Sequence, residues 1–233
     1  MSYIIRKVKS VFKTIYFTFF YKELFKDYRF TISKASTEVE RRELYRLRYQ
    51  VYCEEYGYID RNNCPDGLEK DVYDEHSDYF IIRDSKNNIA ATVRIIKNSQ
   101  AGFPLEKNFH LNIETSNLDH DHLVEISRLI VARKYRKKLL LLFLVKGLYL
   151  YAIEQKITHA YFIIDEKLYP LLLKIKVPVI KIGTPAIYQG LTFPCLVDVT
   201  EWERNVRRSR SFNRFYYFGG MDLSDDGNKY EVH

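Results

Sequence analysis

Apolar residues recur at helical spacing from the start of the chain. Ile4, Val8, Val11, Ile15 and Phe19 form one stripe, with Ile5, Phe12, Tyr16 and Phe20 alongside, while Arg6, Lys7, Lys9 and Lys13 lie mostly off it. The pattern predicts a basic amphipathic helix over residues 1–28, suited to packing on the domain or to lying in an anionic lipid interface. After a short strand at Phe30–Ser33, Ser36 or Thr37 can cap a helix that carries Leu44, Leu47, Val51 and Tyr52 on one side and ends at Gly57. A polar loop covers Asp60–Gly67. Tyr79–Arg83 and Ile89–Ile96 then read as strands joined through Asp84–Asn88 into an antiparallel hairpin.

Residues 101–122 are irregular and polar and read as a long loop with short elements. A strand at Leu123–Val131, a helix at about Lys138–Gln155 and a strand at His159–Ile164 predict a right-handed parallel crossover. The helix run Leu139–Leu144 is apolar nearly all round, as expected of a helix trapped against a sheet. A short helix at Glu166–Lys174 and strands near Val179–Ile182 and Cys195–Val199 complete the pattern. The tail from Arg204 to Arg214 holds five arginines and no acid, and Asp222, Asp225, Asp226 and Glu231 follow, which predicts a solvated basic helix with an acidic end. The resulting division is 1–28, 29–200 and 201–233.

Composition narrows this picture. With 46% hydrophobic and 29% charged residues, 9 Gly and 6 Pro in 233 residues, the chain is globular rather than disordered or collagen-like. Twenty Tyr and fifteen Phe against one Trp suit large apolar surfaces with polar tips. A formal charge of +7 favours an acidic partner. Cys53, Cys64 and Cys195 form no C-x-x-C pair, so neither a disulfide framework nor a zinc site is expected, and a reducing, cytoplasmic setting follows. The uncharged run Thr14–Tyr21 is too short to cross a bilayer and no signal-peptide cleavage pattern accompanies it. No nucleic-acid-binding signature is present.

The order of elements implies an α/β (α+β) fold with a mixed sheet. In that order the sequence resembles the GCN5-related N-acetyltransferase (GNAT) superfamily, whose strand before the buried helix lines the acyl donor. Leu47–Tyr52, Glu69–Asp74, Thr92–Arg94 and Glu125–Arg128 resemble, in order and spacing, the motifs of acyl-homoserine lactone synthases. They resemble still more those of long-chain N-acyl amino acid synthases, including the exosortase-associated acyltransferases, as do Phe103–Glu106 and Tyr188–Gly190. Each motif alone is common, and the set of four is specific. The resemblance implies a GNAT-like mixed, mostly antiparallel twisted sheet flanked by helices. Where lactone synthases carry a tryptophan after the first motif, this chain has Tyr58, which weakens the lactone reading.

For acyl transfer from a thioester to an amine, Glu125 is the candidate base, with Ser127 and Arg128 in the same catalytic strand motif. Strict alternation would put Glu125 and Ser127 on one face and Arg128 on the other, so a shared site needs a bulge, which GNAT donor strands have at about this place. The resemblance assigns Arg48, Tyr52, Asp71, Asp74 and Arg94 to the acceptor side, with the charged residues in a buried ion-pair network. An arginine left over, Arg94 or Arg128, is expected to hold an amino-acid carboxylate.

Coenzyme A-dependent GNAT enzymes place a glycine-rich loop after the donor strand. Here Val131–Leu139 contains no glycine, and Arg133, Lys134, Arg136, Lys137 and Lys138 are instead expected to dock an acidic carrier. Leu140, Phe143 and Leu144 are expected to line the acyl pocket. Cys53 or Cys195 with His76 or His159 lacks the signature of a nucleophilic dyad, and His110, His120 and His122 are too loosely spaced for a metal site. The expected reaction is transfer of a medium or long fatty acyl chain from acyl carrier protein, through its acyl-4'-phosphopantetheine, to an amino acid or small amine. No metal and no permanently bound cofactor are expected. A coenzyme A-dependent GNAT enzyme using acyl-CoA, a lactone synthase and a non-catalytic basic membrane-binding module are the alternatives. The expected location is the cytoplasm, with peripheral contact at the inner membrane face.

Overall fold

The computed structural model describes residues 30–136 and 140–217. The amphipathic helix expected over residues 1–28, Lys137, Lys138 and the acidic end beyond residue 217 lie outside the described residues.

Strand β1 (Phe30–Lys34) leads into α1 (Glu38–Tyr49), which starts in a reciprocal capping box. Thr37 Oγ1 accepts from the Glu40 amide at 3.2 Å and the Glu40 carboxylate accepts from the Thr37 amide at 3.1 Å. The sequence pattern predicts one α-helix to Gly57. Instead its last six residues, Gln50–Glu55, form a π-turn, in which the Tyr56 amide donates to the Val51 carbonyl at 3.0 Å. Gly57, at φ +63°, then reverses the chain.

The hairpin β2 (Ser77–Asp84) and β3 (Ile89–Lys97), the short helix α2 (Pro104–Asn108), and β4 (Leu123–Val131) follow. Next come α3 (Leu140–Glu154), β5 (His159–Asp165), α4 (Leu168–Lys174), β6 (Val179–Lys181), β7 (Ala186–Ile187) and β8 (Leu191–Asp198). Helices α5 (Val199–Arg208) and α6 (Arg210–Tyr217) complete the described chain. The sheet order is β1-β2-β3-β4-β5-β8-β6, with β7 on β8. Every pairing is antiparallel except β4 with β5, the pair joined through α3. This is the expected mixed, mostly antiparallel α/β sheet.

Helix α3 packs on one face of the sheet. Its Gly147 permits a close approach, since a Cβ there would stand 3.1 Å from Ile32 Cδ1 on β1. Leu140, Leu144, Leu148 and Tyr149 share their cluster with Val124, Ile126 and Phe162 of the sheet. The tail read as a solvated helix belongs to this same core. Trp202, Val206, Phe215 and Tyr216 are buried in it, and Tyr149 meets the Trp202 and Tyr216 rings at centroid distances of 5.1 and 4.6 Å. A boundary after residue 200 therefore falls inside a packed helix. The arginine run misleads because Arg204, Arg207, Arg208, Arg210 and Arg214 occupy the exposed side of an amphipathic pair. On the opposite face of the sheet, Phe103, Leu105, Leu123, Tyr161 and Leu196 form a second cluster, and Leu44, Tyr45, Tyr79 and Ile81 seat α1.

Among the described residues no helix is long and apolar enough to cross a membrane. Because Trp202 is only 2% exposed, Trp202→Ala should lower the unfolding free energy by about 3–5 kcal/mol in urea titration. Arg204→Ala, on the exposed side, should change it by no more than about 0.5 kcal/mol.

Candidate active site

Strands β4 and β5 pair only from Leu123–Ile126 to His159–Phe162, although β4 continues to Val131 and β5 to Asp165. Beyond Ile126 the two strands diverge. A cavity of about 590 Å³ occupies the wedge, lined by Glu125–Val131, Phe162–Asp165, Tyr52, Tyr56, Tyr58 and Tyr188–Thr192. It opens at the carboxyl end of adjacent parallel strands, where α/β sheets commonly bind ligands.

The register of β4 against β3 slips here: Thr92 faces Ile130, whereas Arg94 faces Ser127, leaving Arg128 and Leu129 opposite Val93 alone. Arg128 sits at φ +49°, a left-handed conformation that costs a non-glycine residue about 1–2 kcal/mol. The bulge inverts the alternation. Val124 and Ile126 face α3 before it, and Leu129 and Val131 face α3 after it. Ser127 and Arg128 thus point successively to the side already occupied by Glu125, and all three line the cavity.

On that side lies a buried charge network. Arg48, fully buried, donates from Nε to Glu69 at 2.5 Å and from Nη1 and Nη2 to Asp74 at 2.7 and 3.1 Å. Arg94 donates from Nη1 to Asp71 at 2.6 Å and Asp74 at 2.7 Å, and from Nε to Ser127 Oγ at 2.9 Å. Arg128 donates from Nη2 to Glu69 at 2.8 Å and Asp71 at 3.1 Å, and lies 5.1 Å from the centre of the Tyr52 ring. Three guanidinium groups therefore meet three carboxylates. Neither Arg94 nor Arg128 is left over, contrary to the expectation from sequence. The loosest bond in the set joins Arg128 Nη1 to the neutral amide of Gln189 at 3.4 Å. Burial by itself would raise the Glu69 carboxyl, but Arg128 and Arg48 outweigh it and hold the group at about 2. For Asp74 the same opposition, with Arg48 and Arg94, leaves the group well below the usual carboxylate range.

Glu125 behaves in the opposite way. It is fully buried, and burial pushes its carboxyl up to about 8 against the lowering effects of the Leu105 amide, Arg94 and Arg128. Its Oε2 accepts from the Leu105 N–H at 2.9 Å, a donor that the start of α2 leaves free, while Oε1 has no hydrogen-bond partner among the described residues. The Phe103–Glu106 segment is further fixed by Tyr161, whose hydroxyl donates to Glu106 Oε1 at 2.8 Å.

The basic segment after β4 is partly committed to structure. Arg136 forks onto Glu55 of the π-turn, with Nη2 donating to Oε2 at 2.8 Å, and lies over the Tyr56 ring. Lys134 approaches Asp84 at 3.6 Å, whereas Arg133 is exposed. Leu140, Phe143 and Leu144 do not line the cavity: they pack in the main core, and Leu141 is the α3 residue that reaches the cavity wall. Cys53 and Cys195 are buried, and burial pushes both thiols up to about 12, which suits packing rather than nucleophilic attack. Sequence reasoning gave no site role to Glu69, which stands inside a quoted motif and carries two arginines, to the Leu105 amide, or to the stacked pair Tyr56 and Tyr58, whose ring centres lie 5.1 Å apart.

The two classes of buried carboxyl predict opposite pH dependences. The stability contributed by Glu69 is present above about pH 4.5 and is lost as pH falls toward 2; that of Glu125 is present below about 4.5 and is lost as pH rises toward 8. Denaturation across this range should therefore show stability falling on both sides, and Glu125→Gln should flatten the alkaline side alone. Arg48→Leu should cost about 3–5 kcal/mol at neutral pH by leaving Glu69 and Asp74 short of a partner, with a smaller loss near pH 3.

Comparison with known proteins agrees with this fold. The profile of a family described as acetyltransferase (GNAT) domain matches residues 47–146. A coenzyme A-dependent acyl-homoserine lactone synthase, BjaI, solved with MTA, has a TM-score of 0.63 at 21% identity over 77% of this chain and 89% of that one. FeeM, an N-acyl amino acid synthase from uncultured soil microbes, has a TM-score of 0.58 at 18% identity over 76% and 94% of the two chains. The acyl-homoserine lactone synthase LasI has a TM-score of 0.55 at 17% identity over 73% and 89%. A search of curated sequences finds no match. Identities of this size establish the shared fold, and the family match spans Arg48, the charge network and the Glu125 strand. Residues 47–146 thus match the acetyltransferase (GNAT) domain, and the chain shares the fold of these acyl-transferring synthases.

Proposed function

We propose that the protein is an N-acyltransferase that moves a medium or long fatty acyl chain from the phosphopantetheine of acyl carrier protein to the amine of an amino acid or small amine. The observation that carries this reading is Glu125, a buried cavity-lining carboxyl with one oxygen held by the Leu105 amide and the other without a partner among the described residues. A carboxyl with a pKa of about 8 takes a proton from an ammonium and releases it near neutrality. In the proposed reaction Glu125, directly or through a water, removes a proton from the incoming amine, whose nitrogen then attacks the thioester carbonyl. The developing oxyanion meets backbone N–H groups freed by the bulge at Arg128–Leu129. The C–S bond breaks as the amide forms, the second proton lost by the nitrogen passes to the departing thiolate, and Glu125 releases the first to solvent. An amino-acid acceptor would place its carboxylate at Arg128 Nη1 in exchange for Gln189, the least costly bond of the network to replace.

Support for the carrier as donor comes from the glycine-free Val131–Leu139 segment and its basic side chains. A coenzyme A donor is the second reading, because BjaI is a coenzyme A-dependent enzyme. Side-by-side kinetics with the same acyl chain on both donors decide between them. Better use of the carrier, falling as salt rises, is expected, and Arg133→Glu with Lys134→Glu should raise the KM for the carrier much more than it changes kcat. Equal or better use of the coenzyme A thioester overturns the assignment. Glu125→Gln should retain the fold and lower transfer at least about tenfold, and should abolish the rise of rate with pH toward about 8 that is expected of the wild type. Unchanged turnover in the folded variant at limiting pH would remove Glu125 from the mechanism.

A further inference from the structure

The chain from Lys167 to Val197 differs in composition from the rest. It contains four lysines, Lys167, Lys174, Lys176 and Lys181, and neither Asp, Glu nor Arg, although 30 of the 233 residues are acids. All four lysines are exposed. The same stretch contains every exposed leucine and isoleucine among the described residues: Leu171 and Leu173 on α4, Ile180 on β6, Ile187 on β7 and Leu191 on β8. Isolated exposed apolar side chains are ordinary, whereas their concentration in one acid-free region is not.

These side chains belong to one part of the fold. Ile187 pairs with Leu191 across β7 and β8, so the two stand side by side on one face of the hairpin. Lys181 Nζ lies 4.9 Å from the ring centre of Tyr169 on α4 and 3.6 Å from that of Phe193 on β8, joining the helix to the same end of the sheet. Strand β6 is the free edge, but it has three residues, follows Pro178 and carries Lys181, features that discourage pairing with another strand. The surface is continuous with the cavity, whose lining includes Lys167, Leu168 and Leu191.

We infer that this rim, formed by α4, β6 and the β7–β8 hairpin, is a docking surface for an anionic lipid bilayer, onto which the mouth of the cavity opens. Lysine heads around aliphatic tips match phosphate headgroups above acyl chains. The exposed side chains argue against a protein partner, because protein interfaces favour aromatic residues, Met and Arg and are depleted in Lys, whereas the exposed charged and large apolar residues of Lys167–Val197 are all Lys, Leu or Ile. The surface stands whichever donor or amine the site uses.

Flotation of the full chain with vesicles tests it. The protein should rise with vesicles of equal parts phosphatidylglycerol and phosphatidylcholine, much less with phosphatidylcholine alone, and less as salt increases. Two exposed-site variants, Leu171→Glu with Leu173→Glu and Lys174→Glu with Lys176→Glu, should each reduce partitioning at least about tenfold while keeping the wild-type circular dichroism spectrum. If the leucine pair disturbs α4, the lysine pair decides. Absence of flotation overturns the inference. So does flotation that survives in the folded variants, since the lipid contact would then lie elsewhere in the chain. A lysine-pair variant that floats like the wild type but binds acyl carrier protein more weakly would identify a protein surface instead.

Discussion

Burying three guanidinium groups beneath one face of a sheet is tolerable only if three carboxylates reach them, and the candidate site is arranged around that requirement. Arg48 comes from α1, Arg94 from β3 and Arg128 from β4, while Glu69, Asp71 and Asp74 come from the loop that precedes β2. The loop runs as it does because each carboxylate must meet two of the arginines. Breaking such a set leaves an uncompensated buried charge, so its members depend on one another more than pairwise bonds suggest.

The same neutrality explains Glu125. It stands beside Arg94 and Arg128, which would ordinarily keep a carboxyl ionised, but both are already committed to Glu69, Asp71 and Asp74. Burial therefore dominates, and the proton is held until about pH 8. The bulge supplies the remaining condition. Without it Arg128 would face α3, Glu69 would lose one of its two arginines, and Glu125 would not share a cavity with Arg128. The strain of Arg128 at φ +49° is thus compensated by the network that the residue joins.

Much of this was legible in the sequence, because it depends on period and charge. Strand β4 has the expected bounds, Leu123–Val131, and the need for a bulge follows from two charged residues three apart in a strand. What could not be read is phase and partnership. The run Leu139–Leu144 is apolar all round, so its pattern does not say which leucine faces the sheet and which the cavity; Leu141, not Leu140 or Leu144, takes the cavity side. The arginines from Arg204 to Arg214 obscure Trp202, Val206, Phe215 and Tyr216, whose spacing marks the buried side. Arg136 belongs to a visible basic cluster, yet its ion pair with Glu55 spans 81 residues and has no local signal.

The least legible feature, the π-turn, bears most directly on the shape of the cavity. Inserting a wider turn at Gln50–Glu55 turns Tyr52, Tyr56 and Tyr58 toward the cavity, where the Tyr58 hydroxyl lies 3.2 Å from the point a Cβ on Gly190 would occupy. Gly190 adopts φ +102°, so the backbone favours glycine there, and a Cβ would press on the Tyr58 hydroxyl. Two segments more than a hundred residues apart thus set the width of the cavity by a tyrosine against a bare backbone. On the far side of the π-turn, Arg136 is held by Glu55 and Tyr56. This cavity wall is also tied to the charge network at Arg128, which lies over the Tyr52 ring and donates to Gln189, the neighbour of Gly190. Changes in Tyr58 or Gly190 therefore act first on the width of the cavity and reach the buried charges through Arg128, the residue where the cavity wall and the network meet.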